Sequence, residues 1–143
     1  MRQFVLENEK ARNKLVSLAN NITDADLSKD AGGGWTLGVI FAHIAFWDQR
    51  TIILLRRWKK TVVSTSLVDI EVINESLTPF LNAIPPRIAV SIALSTAETL
   101  CREIESLNDE LVTAIDALGD KMRLNRYIHW QMHIEQIERI IQS

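Results

Sequence analysis

The chain has 143 residues with a net charge of −2 at pH 7, the size of one domain, which we place over residues 1–143. This charge balance argues against nucleic acid as the main partner, which calls for a basic face. A single cysteine excludes an internal disulfide, and without an apolar signal region a cytoplasmic location is expected. The longest uncharged run, residues 31–47, is shorter than the ~20 residues of a membrane span, so no membrane is expected.

The first elements are predicted from periodicity and turn residues. An amphipathic pattern over residues 2–20 predicts a first helix, and residues 23–27 can start one short turn. The glycines within residues 31–34 then predict a break in the chain. They lack the Gly-Lys-Ser/Thr ending of a phosphate-binding loop, which argues against a nucleotide site.

The second helix is the most apolar stretch of the chain. Thr36 is a good N-cap for it, and the pattern runs to about Lys59. Its first half is apolar nearly all round, with His43 the only polar side chain, which predicts burial on every side. Since a one-chain bundle buries one stripe per helix, the second stripe near Phe41 and Ala45 predicts a homodimer.

The remainder of the chain predicts further helices and no sheet. Residues 60–86 form a long connection with a short helix over 69–81, which suits a crossover between helices that are not antiparallel neighbours. A third long helix runs from Pro86 to about Leu107, Asn108 caps a short helix, and the last helix begins at about Arg123. The β-prone run 61–65 is short and alone, so the fold class is all-α with four long helices.

The last helix carries two of the three histidines at a spacing of four. On a helix His129 and His133 lie on one face, which also holds Trp130 and Ile137. A pair of inward histidines is typical of a packed core as much as of a metal site. The third histidine, on the buried second helix, favours the metal site.

Three neutral imidazoles leave a divalent ion with open positions, the arrangement of catalytic rather than structural sites. Imidazole ligands suit Zn, Ni, Cu or Fe better than Mg or Ca. The protease pattern HExxH is absent, because Trp130 stands where its glutamate would be. The di-iron pattern Glu-x-x-His is absent too, since Ile40, Arg126 and Trp130 precede the histidines by three.

Other side chains are candidates for the substrate pocket. Arg50 follows Trp47 on the stripe of His43 and could hold an anionic substrate, or be a solvated charge. Asn74, in the crossover, could reach the site or lie on the surface. Trp47, Trp130 and Ile137 would supply apolar walls. Cys101 lies among apolar residues, as a buried small hydrophobe does, rather than as a nucleophile.

With Trp35-Thr36 followed by His43, and with His129-x-x-x-His133 in the final helix, the chain resembles the DinB/YfiT-like superfamily of metalloenzymes. The resemblance covers nearly the whole chain. It implies a four-helix bundle with an up-up-down-down course and a long crossover between helices two and three, a metal held by the three histidines, and dimerisation. Some members transfer low-molecular-weight thiols such as mycothiol or bacillithiol, and one group isomerises maleylpyruvate.

From residues and resemblance together we expect a divalent-metal-dependent enzyme with Zn, Ni or Fe at His43, His129 and His133. It would be a small-thiol transferase, with a low-molecular-weight thiol as co-substrate, or a hydrolase, acting on an apolar electrophile. Two alternatives remain open. One is a non-catalytic protein that binds a metal or small ligand, related to stress or detoxification, and the other is a structural bundle with core histidines.

Overall fold

Four long helices carry the fold, and shorter elements connect them. The structure, a computed structural model, describes residues 2–143. Its elements are α1 Gln3–Asn21, α2 Asp24–Leu27, β1 Asp30–Gly32, β2 Trp35–Thr36, α3 Leu37–Trp58, α4 Ile70–Asn82, α5 Pro86–Glu105, α6 Asp109–Asp116 and α7 Arg126–Gln142, with a 3-10 turn at Lys121–Arg123. The predicted all-α bundle is confirmed, including the short helix inside the crossover.

The helices α3 and α5 run parallel to each other. Near their first residues, a Cβ atom on Gly38 would stand 3.0 Å from the Cβ of Pro86, so the two helix starts touch. At their far ends, Arg56 Nε donates to Glu103 Oε1 at 2.8 Å, and Lys59 Nζ donates to Glu103 Oε2 at 2.8 Å. The long crossover therefore joins parallel neighbours, as its length predicted.

The helix α1 runs antiparallel to α5 and parallel to α7. Arg87, at the start of α5, donates to the carbonyl of Ile22, just beyond the end of α1, at 2.8 Å. Asn8, in the first half of α1, contacts the start of α7. Its Nδ2 donates to the Leu124 carbonyl at 2.8 Å, and its Oδ1 accepts from the backbone N–H of Tyr127 at 2.9 Å.

These directions correct one detail of the expected topology. The long helices run up-down-down-up in chain order, whereas the resemblance implied up-up-down-down. An up-up-down-down bundle needs two long crossovers, and this chain has one, between α3 and α5. The segment 22–36 between α1 and α3 instead turns the chain back on itself.

A small hairpin in that segment was not predicted. The strands β1 and β2 pair antiparallel, with Gly32 opposite Trp35. Gly33 and Gly34 between them have φ of 62° and 81°. Two positive φ angles suit the tight two-residue turn of a hairpin, and glycine adopts them without steric cost. The hairpin thereby places Trp35 beside the first turn of α3.

The apolar start of α3 is covered within one chain. Phe41 is 0% exposed and Ala45 is 5% exposed. The argument that this stripe needs a second subunit is therefore wrong, and the homodimer, which the resemblance also implied, stays a prediction. By length and composition α3 could cross a membrane, but 67% of its most apolar 18-residue stretch is buried inside the bundle, which fits the core helix of a soluble protein.

We predict that Asn8→Ala lowers the free energy of unfolding by about 1–3 kcal/mol, because it removes both polar partners of the α7 start. Asn21→Ala is the matched control, since that amide donates only to the exposed Ser17 carbonyl of its own helix. The control should change stability by less than about 0.5 kcal/mol in urea unfolding. Equal losses in both variants would contradict the role of Asn8.

Candidate metal centre

The three histidines meet between two helices. His43 comes from α3, and His129 and His133 come from successive turns of α7. One ring nitrogen from each lies within 4.8 Å of the others, and the Nε2 atoms of His129 and His133 are 3.1 Å apart. The residues are only 6% to 8% exposed. The fold therefore forms a cluster of three ligand atoms from residues far apart in sequence.

All three imidazoles are held neutral. Burial is the largest cause in each case, and it lowers the pKa of His43 to about 3 and that of His129 to about 2. Burial also lowers the pKa of His133. The neighbouring Arg126 guanidinium acts in the same direction on each ring. Each ring therefore offers a lone pair at neutral pH, as a metal ligand must.

A buried ion pair stands behind the histidines. Asp48 of α3 is 0% exposed, and its Oδ1 accepts from Arg126 Nε at 3.1 Å and from Nη2 at 2.8 Å. Its other oxygen accepts from the indole N–H of Trp130 at 2.8 Å. Burial raises the pKa of the Asp48 carboxyl, while these three donors oppose that shift. The pair ties α3 to α7 one turn from the cluster.

The same arginine decides the tautomer of one histidine. Arg126 Nη2 lies 3.1 Å from His129 Nδ1, and a guanidinium can only donate, so Nδ1 accepts. The neutral ring then carries its proton on Nε2, which faces His133 Nε2. His133 in turn donates from Nδ1 to Gln136 Oε1 at 2.9 Å. An ion bound by His129 Nε2 has to displace that proton to Nδ1, where it would face the N–H groups of Arg126. Metal binding therefore competes with the hydrogen bond between Arg126 and His129.

His43 lacks a partner for one ring nitrogen. Its Nδ1 is buried without a hydrogen bond among the described residues. Leaving such a group unsatisfied costs about 1–3 kcal/mol, which an electron-pair acceptor such as a metal ion would recover. The orphaned nitrogen, the three neutral rings and their spacing all fit a divalent ion. The three buried histidines could thus bind a metal ion together.

A cavity of about 470 Å³ opens beside the cluster. Of the predicted pocket residues, Trp47, Arg50 and Asn74 line it. Trp130 and Ile137 do not line it, because both are 0% exposed in the core. The other lining residues are Trp35, Thr51, Val68, Ile70, Asp120, Met122, Arg123, Arg126 and Met132, together with the three histidines.

The crossover helix α4 forms one wall of this cavity. The indole N–H of Trp47 donates to Asn74 Oδ1 at 3.0 Å, and that of Trp35 donates to Thr78 Oγ1 at 3.0 Å. Asn74 and Thr78 are four residues apart, so they share one face of α4. Arg50 ties the preceding segment down by donating to Ser66 Oγ at 2.9 Å and to its carbonyl at 3.1 Å.

Sequence reasoning missed Asp48, Arg126 and Arg123 as parts of the site. Two signals were present. Asp48 is the only acidic residue of the apolar helix α3, and a buried carboxylate needs a cationic partner. Arg126 precedes His129 by one turn on the same helix face. No comparable signal places Arg123, because it lies in the short 3-10 turn before α7.

A larger groove of about 670 Å³ lies elsewhere, between α3, α4 and α5. Its walls are mostly apolar, and it contains no histidine or carboxylate. Arg50 is its link to the smaller cavity, since this side chain lines both. The groups able to do chemistry are at the smaller cavity, so that cavity is the candidate site.

The comparisons with known proteins agree with this geometry. A family model described as the DinB superfamily matches residues 7–141, which include all three histidines. Searches among curated proteins and among solved structures find no significant match.

The lowered histidine pKa values predict acid sensitivity. The unfolded chain protonates near pH 6.5, whereas His43 and His129, with pKa values of about 3 and about 2, stay neutral in the folded chain, so stability is complete above that pH and falls below it. Each such ring removes roughly 1.4 kcal/mol per pH unit. Urea unfolding of chelator-treated protein between pH 7 and 5.5 measures the slope. His43→Gln should reduce the slope by up to about one proton, and an unchanged slope would contradict the assignment.

Proposed function

The chain belongs to the DinB superfamily, and from this premise we propose that it is a metal-dependent enzyme whose divalent ion is held by His43, His129 and His133. The observation that carries the proposal is the orphaned Nδ1 of His43 beside two further neutral imidazoles. Zn, Ni and Fe suit this all-imidazole set. A bound ion would lower the pKa of a coordinated thiol or water and polarise an electrophile.

The nucleophile in this proposal comes from outside the protein. Burial raises the pKa of the Cys101 thiol to about 12, so this side chain stays protonated. It is also absent from the cavity. A low-molecular-weight thiol or water therefore takes that role. The walls from Trp47, Val68 and Met132 favour an apolar electrophile, which gives thiol transfer or hydrolysis as the reaction.

A second candidate is a protein that binds a metal or small ligand without turnover, in a stress or detoxification role. The observation in its favour is the chain of hydrogen bonds from Asp48 through Arg126, His129 and His133 to Gln136. This chain satisfies two of the three rings without an ion, which supports a cavity that holds a small ligand with no metal to activate it. Product formation separates the two candidates.

We propose a homodimer in the cytoplasm as the working state. Apolar side chains exposed on α3 and α5 support the dimer, with Ile53 40%, Ile88 51% and Ile92 41% exposed. The buried free thiol of Cys101 is compatible with a reducing compartment. Sedimentation at micromolar concentration tests the dimer, and a sole species of 16.3 kDa would refute it.

Metal analysis of protein purified without an affinity tag tests the ligand set. We expect one equivalent of a divalent ion per chain in the native protein and its loss in His133→Ala, because two imidazoles hold an ion less firmly than three. Cys101→Ala is the matched control, since it truncates a buried side chain away from the cavity, and it should keep a full equivalent. Full occupancy in His133→Ala would show that the ligand set is incorrect.

The reaction is tested with metal-loaded protein, a panel of small thiols and apolar electrophiles, and mass spectrometry of the conjugates and hydrolysis products. We expect Cys101→Ala to remain active and His43→Ala to be inactive. Rates equal to those of metal-free protein across the panel would favour the binding protein. An inactive but folded Cys101→Ala would refute the external nucleophile.

A further inference from the structure

The candidate cavity carries more positive than negative charge. Three guanidinium groups line it, from Arg50, Arg123 and Arg126, and the histidines add no charge. Asp48 and Asp120 are the carboxylates that face these groups. Two of the arginines are engaged by the protein. Arg126 is held by buried Asp48, and Arg50 donates to Ser66.

Of the three arginines that line the cavity, Arg123 has an N–H donor without a hydrogen-bond partner among the described residues. Its side chain is 13% exposed, and its Nε is buried without a partner among the described residues. Its nearest carboxylate oxygen is Asp120 Oδ2, 3.4 Å from Nη2, and the Asp120 side chain is 51% exposed. The Trp58 ring stands 5.9 Å from its guanidinium carbon. A cation removed from water and paired this weakly is costly to keep.

Two neighbouring cations add to that cost. Burial lowers the pKa of Arg123, and the positive charges of Arg50 and Arg126 lower it further, against the opposite effect of Asp120. An oxyanion in the cavity beside Arg123 would relieve this repulsion, even though it does not reach the buried Nε. The planar fork of a guanidinium matches the two oxygens of a carboxylate or a phosphate.

We propose that Arg123 forms the anion subsite of this cavity, and that the substrate is an organic oxyanion whose apolar part lies against Trp47, Val68, Ile70 and Met132. This inference deepens the proposed function, because it rests on the cavity being the substrate pocket. It does not depend on the metal. Arg123 acts in binding and specificity, since its charge selects the substrate class.

The test uses phenylacetate and its uncharged analogue phenylacetamide as probes. Binding is followed by calorimetry on the full chain, both metal-loaded and chelator-treated, at low salt. The metal-free form is decisive, because there an anion cannot gain affinity from the ion. We expect wild-type protein to bind phenylacetate about tenfold or more tightly than phenylacetamide, the size of one charge-assisted hydrogen bond.

Three variants locate the effect. Arg123→Met should remove the preference for phenylacetate and leave the affinity for phenylacetamide unchanged, and Arg123→Lys should restore part of it. Arg139→Met, a charge removed from the exposed face of α7, is the matched control and should keep the wild-type preference. Unfolding in urea verifies that each variant is folded.

Several results would overturn the proposal. They are equal affinity of wild-type protein for the two probes, no binding of either, and an unchanged preference in folded Arg123→Met and Arg123→Lys. Metal content measured on the same samples keeps the two claims apart. A protein that binds no ion but prefers phenylacetate through Arg123 refutes the metal function alone, whereas one that binds an ion without this preference refutes the anion subsite alone.

Discussion

The ion pair between Asp48 and Arg126 is the contact on which the site depends. Taking two charges out of water costs several kcal/mol per ion, and only good geometry with further hydrogen bonds offsets that cost. Asp48 meets this condition by accepting from both Arg126 and Trp130. The pair therefore fixes the position of α3 relative to α7 along the length of the bundle. Because His43 and His129 lie within two turns of it, the pair also sets the spacing of the candidate ligands.

Burial of the three histidines also keeps their rings in the neutral form that can bind a metal ion. Neutral imidazoles are the form that binds metals, and the surroundings of His43, His129 and His133 disfavour the charged form. Arg126 contributes both by its charge and by donating to His129 Nδ1. Metal-bound histidines usually donate their second N–H to a carbonyl or a carboxylate. His133 has such an acceptor in Gln136, whereas His129 faces a donor, so the two rings differ as ligands.

The crossover links the topology to the cavity. Since α3 and α5 are parallel, the chain has to return along the length of α3, roughly 33 Å for a helix of 22 residues. The returning segment passes over the open side of the cluster. There α4 is held by the indoles of Trp35 and Trp47, and residue 66 is held by Arg50. The crossover that the parallel arrangement of α3 and α5 requires therefore also forms one wall of the cavity.

Local patterns in the sequence determined most of the secondary structure and the identity of the candidate ligands. Thr36 and Asn108 cap their helices as predicted, because capping depends on a side chain and its own next turn. The inward face of α7 followed from periodicity alone, so His129 and His133 could be placed together. His43 was added because it is the single polar side chain in the apolar first half of α3, and the family resemblance implied the same three ligands, although no local rule brings α3 to α7.

The remainder depended on contacts between distant residues. The relative directions of the helices depend on which helix ends contact each other, and no local sequence pattern specifies those contacts. The all-round apolar pattern of α3 predicts burial but does not say whether the same chain or a second one covers Phe41. The periodicity of α7 likewise predicted that Trp130 points inward, but not whether it lies in the core or lines the cavity. It lies in the core, where its indole N–H donates to buried Asp48. Pairing of Asp48 with Arg126 arises only when two helices cross, which is a property of the tertiary structure.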